Sequence, residues 1–353
     1  MTPSSAGAAV GKPASSLAAV TASVAAAPAA SRTRLFAANS VWNAQVPSVT
    51  PLDPSSGARV AALSDMVDAT TAGGTYPSIA ANTYSTPIYR VGPDAPTTSV
   101  KLDTGPWGLN LQAAFTAGVP IPANAAPAVG TDGHMTVYQP STDTMWEFWR
   151  ANKQLDGWHA SWGGAMRNVS TKGGYYTAYS WPALPYSDGW NWGSTASSLP
   201  VAAGTATLAE LRSGRIDHAL AASIPAPCKG SFSWPAQRTD GISTDVNCMP
   251  EGAHLRLDPS IDVASLGLPR VTRILAVAAQ RYGIIIRDRT ATSVSLYAES
   301  PEPGQPSPYT APGGLFEGLA TWKMLRQFPW RELELLPMTT CTKAPCQPPV
   351  LAR

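Results

Sequence analysis

Between Gly133 and Trp149 the chain reads GHMTVYQPSTDTMWEFW, two runs of alternating apolar and polar residues around the turn-forming PSTD. Alternation with period two marks a half-buried strand, because successive side chains point to opposite faces. Pairing Gln139 with Thr144 and stepping outward sets Tyr138 against Met145, Val137 against Trp146, Thr136 against Glu147, Met135 against Phe148 and His134 against Trp149. One face is then Met135, Val137, Trp146 and Phe148. The other is His134, Thr136, Tyr138, Glu147 and Trp149, with Asp132 at its end. The segment WHASWGG alternates too, with Trp158, Ala160 and Trp162 on the apolar side and His159 and Ser161 on the polar side. As a third strand it would bring His159 to the face of His134 and Glu147. A one-residue slip would set polar residues beside apolar ones, so the pattern itself fixes the faces.

A period near 3.6 takes over elsewhere. In LDPSSGARVAALSDMVDATTAGG, Val60, Leu63 and Val67 recur at helical spacing, Ser55 or Ser56 can cap, and Gly73 ends the helix. Thr207 and Glu210 form a capping box for a short helix closed by Gly214. PRVTRILAVAAQRYG carries the stripe Val271, Ile274, Leu275, Ala278 and Tyr282 between Pro269 and Gly283, and GLFEGLATWKMLRQF predicts a last helix. STPIYRV, TSVKLD and RIDHALAASI predict strands, and IIIRDR with SVSLYAE predicts a hairpin around Thr290–Thr292. Residues 171–204 are Gly-, Ser- and Trp-rich without a period, a long loop of the kind that carries function. Many short strands with a few peripheral helices predict a mostly β fold: an antiparallel, jelly-roll-like β-sandwich or an open barrel.

Composition narrows the class. Charged residues are 14% and the net charge is +2, with no basic stripe, which argues against nucleic-acid binding. No apolar run reaches the roughly 18 residues a membrane span needs. Gly and Pro, 29 and 34 in number, exceed the roughly 12% average share and point to a turn-rich chain. Residues 1–32 form an Ala/Ser/Pro-rich leader, either the rest of a secretory signal or a linker; residues 33–340 are expected to form a single globular domain and 341–353 a tail. Cys228 with Cys248 and Cys341 with Cys346 suit two local disulfides of an extracellular protein, and their spacing does not suit a zinc site.

The polar hairpin face is the richest candidate site, since it holds two of the four histidines and an extra Trp where wet faces usually carry Lys, Thr and Ser. His218 lies in phase with Ile216 and Leu220, the spacing of a buried histidine. The stretch WPAQRTDGISTDVNCMPEGAHLRLDP packs Asp240, Asp245, Glu251, His254, Arg256 and Asp258 into nineteen residues, either as turn formers or as acids, bases or calcium ligands. No dinucleotide, P-loop, zincin or nucleophile-elbow motif occurs, so no cofactor is named.

The pieces TDGHMTVYQPSTDTMWEFW, GWHASWGG, GRIDHAL and PEGAHLRLDPS, with FAANSVWN and FSWPAQRTDG, resemble a family of exported bacterial proteins over about residues 33–337. The resemblance implies export and supplies no catalytic residues. Many members continue the histidine motif with Arg where this chain has Ala221.

Three functions fit. An extracellular enzyme cleaving a polysaccharide or oligosaccharide would use Glu147 with Asp132 or Asp240 for hydrolysis. Acting as a lyase, it would use His134, His159 or Tyr138 as base and Arg150, Arg238 or Arg256 to neutralise a uronic carboxylate; His218 joins the candidate acid–base groups. A metal-dependent enzyme would draw on His134, Glu147 and His159. A non-catalytic sugar-binding module would stack its ligand on Trp149, Trp190 and Trp192. Hydrolysis is favoured because it asks least of the residues present.

Overall fold

In a computed structural model of the chain, Met1, residues 34–181 and residues 189–349 are described; apart from Met1 the leader lies outside them. The hairpin forms in the register the alternation requires. β4 (Met135–Gln139) and β5 (Thr144–Trp149) pair antiparallel, Gln139 opposite Thr144 and Met135 opposite Phe148. β2 (Ile88–Arg90) adds parallel to β4 and β8 (Trp162–Arg167) antiparallel to β5, giving the order β2-β4-β5-β8. The expected third strand is split at Ser161. Its first half, β7 (Gly157–Ala160), leaves this sheet and lies between β3 (Val100–Leu102) and β6 (Asn152–Gln154) in a separate three-stranded sheet. His159 goes with it.

The central sheet has six strands. They are β1 (Ser78–Ala80), β9 (Leu220–Ile224), β11 (His254–Leu257), β12 (Ile284–Arg289), β13 (Ser295–Tyr297) and β14 (Leu333–Leu335), in the order β1-β13-β9-β12-β11-β14. β12 and β13 do not form the expected hairpin; they flank β9, one parallel to it and one antiparallel. A small ribbon pairs β10 (Phe232–Ser233) with β15 (Thr340–Cys341). The fold is therefore mostly sheet, but the sheets are mixed and none closes into a barrel, unlike an antiparallel jelly roll. Alternation reports which face of a strand is buried and says nothing about partner direction.

Five α-helices occur among the described residues. α1 (Ser56–Ala72) and α4 (Arg270–Arg281) lay Val60, Leu63, Val67, Val271, Leu275 and Ala278 against Leu220, Ala222, Ile284 and Ile286 on one face of the central sheet. α3 (Leu208–Ser213) opens on the Thr207–Glu210 capping box and closes at Gly214. Only α5 (Thr321–Met324) forms within the last expected helix. α2 (Leu109–Thr116) covers the apolar side of the hairpin sheet, where Phe115 packs 4.8 Å from Phe148 and the Trp146 indole donates to the Ala114 carbonyl. On the other face of the central sheet, Tyr282, Ile285 and Tyr297 join the core of the hairpin sheet. The polar face of the hairpin thus lies between two sheets.

Candidate functional site

That face is dry. Glu147 is fully enclosed; its Oε1 accepts the Ser194 amide at 2.9 Å and its Oε2 the Val201 amide at 2.8 Å. From the opposite sheet, Arg287, also fully enclosed, donates to the carbonyls of Val201 and Ala203 and lies 4.0 Å from the Tyr297 ring centre. Burial pushes the Glu147 carboxyl up to about 7, against the pull of the two amides and Arg287. Burial also drives His134 down to about 4, with the Asp132 charge opposing. The Trp149 indole donates to Asp132 Oδ1 at 3.3 Å, and the Arg150 guanidinium stacks 4.3 Å over its ring. The Tyr138 hydroxyl donates to Asp143 Oδ1 at 3.0 Å; burial and that bond push it up to about 12. An open sugar cleft with Glu147 at its centre is not what these residues build. They fasten the 193–205 segment between the two sheets.

The other sequence candidates are also tied up. His159 Nδ1 lies 2.8 Å from Asp103 and Nε2 2.9 Å from Asp156, so the pair of carboxylates holds its value up. With both His159 nitrogens on carboxylates and both Glu147 oxygens on amides, the His134–Glu147–His159 metal set is not assembled. His218 bridges the Ala219 carbonyl at 2.8 Å and Glu210 at 3.2 Å, joining β9 to the cap of α3. Arg256 pairs with Glu334 at 2.7 Å and donates to the Pro47 carbonyl. Trp192 is fully enclosed and Trp190 is half-buried, so they do not make an exposed platform with Trp149.

A different set of residues converges. Asp240, Glu251 and Asp288 each place a carboxylate oxygen within 4.8 Å of the other two. Asp240 is exposed and accepts Arg289 Nε at 2.9 Å. Asp288 is partly buried and accepts the amides of Arg289 at 3.0 Å and Ala196 at 3.3 Å. Glu251 is fully enclosed, and neither of its oxygens receives a hydrogen bond of good geometry among the described residues. Burial, opposed by Arg287, pushes Asp288 up to about 7; burial and the Asp288 charge push Glu251 well above the usual carboxylate range. Arg238 borders the group and donates from Nη2 to the carbonyls of Gly193 and Thr195.

Local sequence explains the convergence. The pairing of β12 with β9 shifts by one between Ile286 and Asp288, so Arg287 is the extra residue of a bulge and Asp288 is re-aimed. Gly252, at φ 87°, follows Glu251; a Cβ there would lie 1.7 Å from the Ser233 carbonyl, so the turn that sets Glu251 admits only glycine. The loop bearing Arg238 and Asp240 is closed by the Cys228–Cys248 disulfide, and Cys341–Cys346 closes the tail. Three carboxylate oxygens at this spacing suit either proton transfer or a hard cation such as calcium.

Comparison with family models, with curated proteins and with solved structures finds no match for this chain. The site therefore stands on its own geometry. Asp240 and Glu251 lie in the acid-rich stretch visible in the sequence. Asp288 and Arg289 had a weaker signal: charges ending the apolar run IIIRDR.

Proposed function

We propose that the protein is an exported carbohydrate-active hydrolase whose reacting groups are Asp240 and Asp288, with Glu251 behind them. The observation that supports this is the meeting of three carboxyl groups in unlike surroundings at an edge where Asp240 is exposed. Asp240, paired with Arg289, is the carboxylate and acts as nucleophile. Asp288, pushed up to about 7, carries the proton and acts as general acid. In the first step Asp288 protonates the leaving oxygen as the glycosidic bond breaks and Asp240 takes the anomeric carbon. In the second, water displaces Asp240 and returns its proton to Asp288. Oxygens within 4.8 Å of one another suit this double displacement, for which carboxyl groups about 5–5.5 Å apart are usual.

A sugar polymer as substrate is supported by two half-buried tryptophans tied to the segment that Arg238 bonds. The half-buried Trp162 donates its indole N–H to the Asn191 carbonyl at 3.1 Å, and half-buried Trp190 precedes Asn191 in the segment that Arg238 holds. Export is supported by the two disulfides and by the family resemblance. Among the described residues no helix is long and apolar enough to cross a membrane.

The test is digestion of a polysaccharide panel in oxygen-18 water, with products read by mass spectrometry. Wild type should release fragments carrying one labelled oxygen. Asp288→Asn and Asp240→Asn should each lose about a hundredfold or more, while Glu147→Gln, if folded, keeps its rate. Activity lost in a chelator and restored by calcium would move the chemistry to a cation held by the same carboxylates. A folded protein that cleaves nothing in the panel would overturn the reading in favour of a binding module.

A further inference from the structure

A second concavity shares no residue with the carboxylate cluster. A groove of about 370 Å³ runs beside α1, lined by Ser64, Val67, Thr71, Pro77, Arg326 and Trp330 among others. Its volume falls within the roughly 300–1,000 Å³ of ligand sites. Its lining residue Arg326 reaches an aromatic pair, Tyr76 and Trp322, whose rings pack 5.0 Å apart, and Trp322 is 38% exposed. The Arg326 guanidinium lies 5.0 Å from the Tyr76 ring centre and 5.7 Å from that of Trp322; Lys323 lies 5.3 Å from Trp322.

Two observations point outward from this arrangement. Ser64 is 2% exposed and lines the groove, and its hydroxyl has no hydrogen-bond partner among the described residues. A buried hydroxyl without a partner is costly unless something else satisfies it. The cations are the second. Exposed Arg215, Arg289 and Arg331 each bond a neighbouring aspartate; Arg331 bonds Asp65 and also Asp68, which lines the groove. Asp68 and Glu332 line the groove too, but among the described residues Arg326 and Lys323 have no carboxylate within ion-pair distance, so two cations without an ion pair stand beside two aromatic rings.

We infer that the groove bordered by Ser64, Arg326 and the Tyr76–Trp322 pair is a second glycan-binding site, selective for chains bearing carboxylate or sulfate groups. The apolar C–H face of a sugar ring packs on indole, a guanidinium pairs with a planar anion through two N–H groups, and the Ser64 hydroxyl meets a ring hydroxyl. The site shares no residue with the carboxylate cluster. Its role in holding a polymer substrate rests on the hydrolase reading; the binding itself does not.

Affinity electrophoresis of the full chain through gels containing polygalacturonate, alginate, a sulfated glycan or a neutral glucan tests it. The acidic polymers should retard wild type and the neutral one should not, and 0.5 M salt should remove the retardation. Trp322→Ala and Arg326→Ala, both surface changes, should each abolish most of the retardation with Tm unchanged, and Arg326→Lys should restore part of it. Equal mobility in acidic and neutral gels, or retardation untouched by either alanine variant, would overturn the inference. Retardation without cleavage of any polymer defeats the hydrolase reading alone; cleavage without retardation defeats this one alone.

Discussion

Glu147 and Arg287 grip one residue from opposite sheets: the Glu147 carboxyl accepts the amide of Val201, and the Arg287 guanidinium donates to its carbonyl. The hairpin and the central sheet are thereby joined through a strip of main chain. Glu147→Gln keeps the size of the side chain but sets an NH2 group against an amide donor, and should cost about 1–3 kcal/mol in urea unfolding. Since the folded carboxyl sits near 7, above its unfolded value of about 4.5, the native state favours the protonated form. The stability this gives is complete below pH ~4.5 and lost as pH rises toward 7. The penalty of Glu147→Gln should therefore shrink over that interval. Arg287→Met should cost more than Glu147→Gln, and the double variant should fall short of the sum by about 0.5–3 kcal/mol.

The proposed hydrolysis should fail on the alkaline side first. Asp288 must hold a proton to serve as acid, and its value lies near 7. The rate should decline above neutrality with an apparent midpoint near 7. A rate still level at pH 9 would remove Asp288 from the role.

His159 offers an independent titration. Its hydrogen bond to Asp103, with a second to Asp156, raises its value, so it should stay protonated past the midpoint of an ordinary histidine in an NMR titration. The stabilising contribution is present below pH ~6.5 and disappears as pH rises through the folded value. Asp103→Asn should move the midpoint down and leave hydrolysis unchanged.

The Cys228–Cys248 bridge closes a loop of sequence separation 20 that carries Arg238 and Asp240. Replacing both cysteines by serine should cost about 3 kcal/mol, the chain-entropy value for a loop of that size. Activity should fall further than stability, because Asp240 loses its anchor while Asp288, on β12, keeps its own. Equal activity per folded molecule would show that Arg289 alone positions Asp240.

The sequence made the elements legible where one residue pattern decided them. The register of β4 with β5, the stripe of α4 and the box at Thr207 and Glu210 follow from local spacing and stand in the structure. What failed were inferences about surroundings. A polar strand face reads as wet, yet here Arg287 and the 193–205 segment arrive from elsewhere in the chain and satisfy it. The alternation alone places His159 on that face, because nothing local shows that Ser161 ends one sheet and begins another. The carboxylate group joins Asp240, Glu251 and Asp288 from three segments, and only Asp240 and Glu251 shared a visible cluster.

The bulge at Arg287 has a consequence for how β12 can change. A regular strand deals its side chains left and right in strict turn, so deleting one residue swaps the sides of all that follow. The extra residue resets that parity just where an anchoring cation is succeeded by a carboxylate of the candidate site. Deleting Arg287 would bring β12 back into step with β9 and carry Asp288 toward the space the guanidinium leaves between the sheets. A single codon thus separates a strand with two tasks from a strand with one.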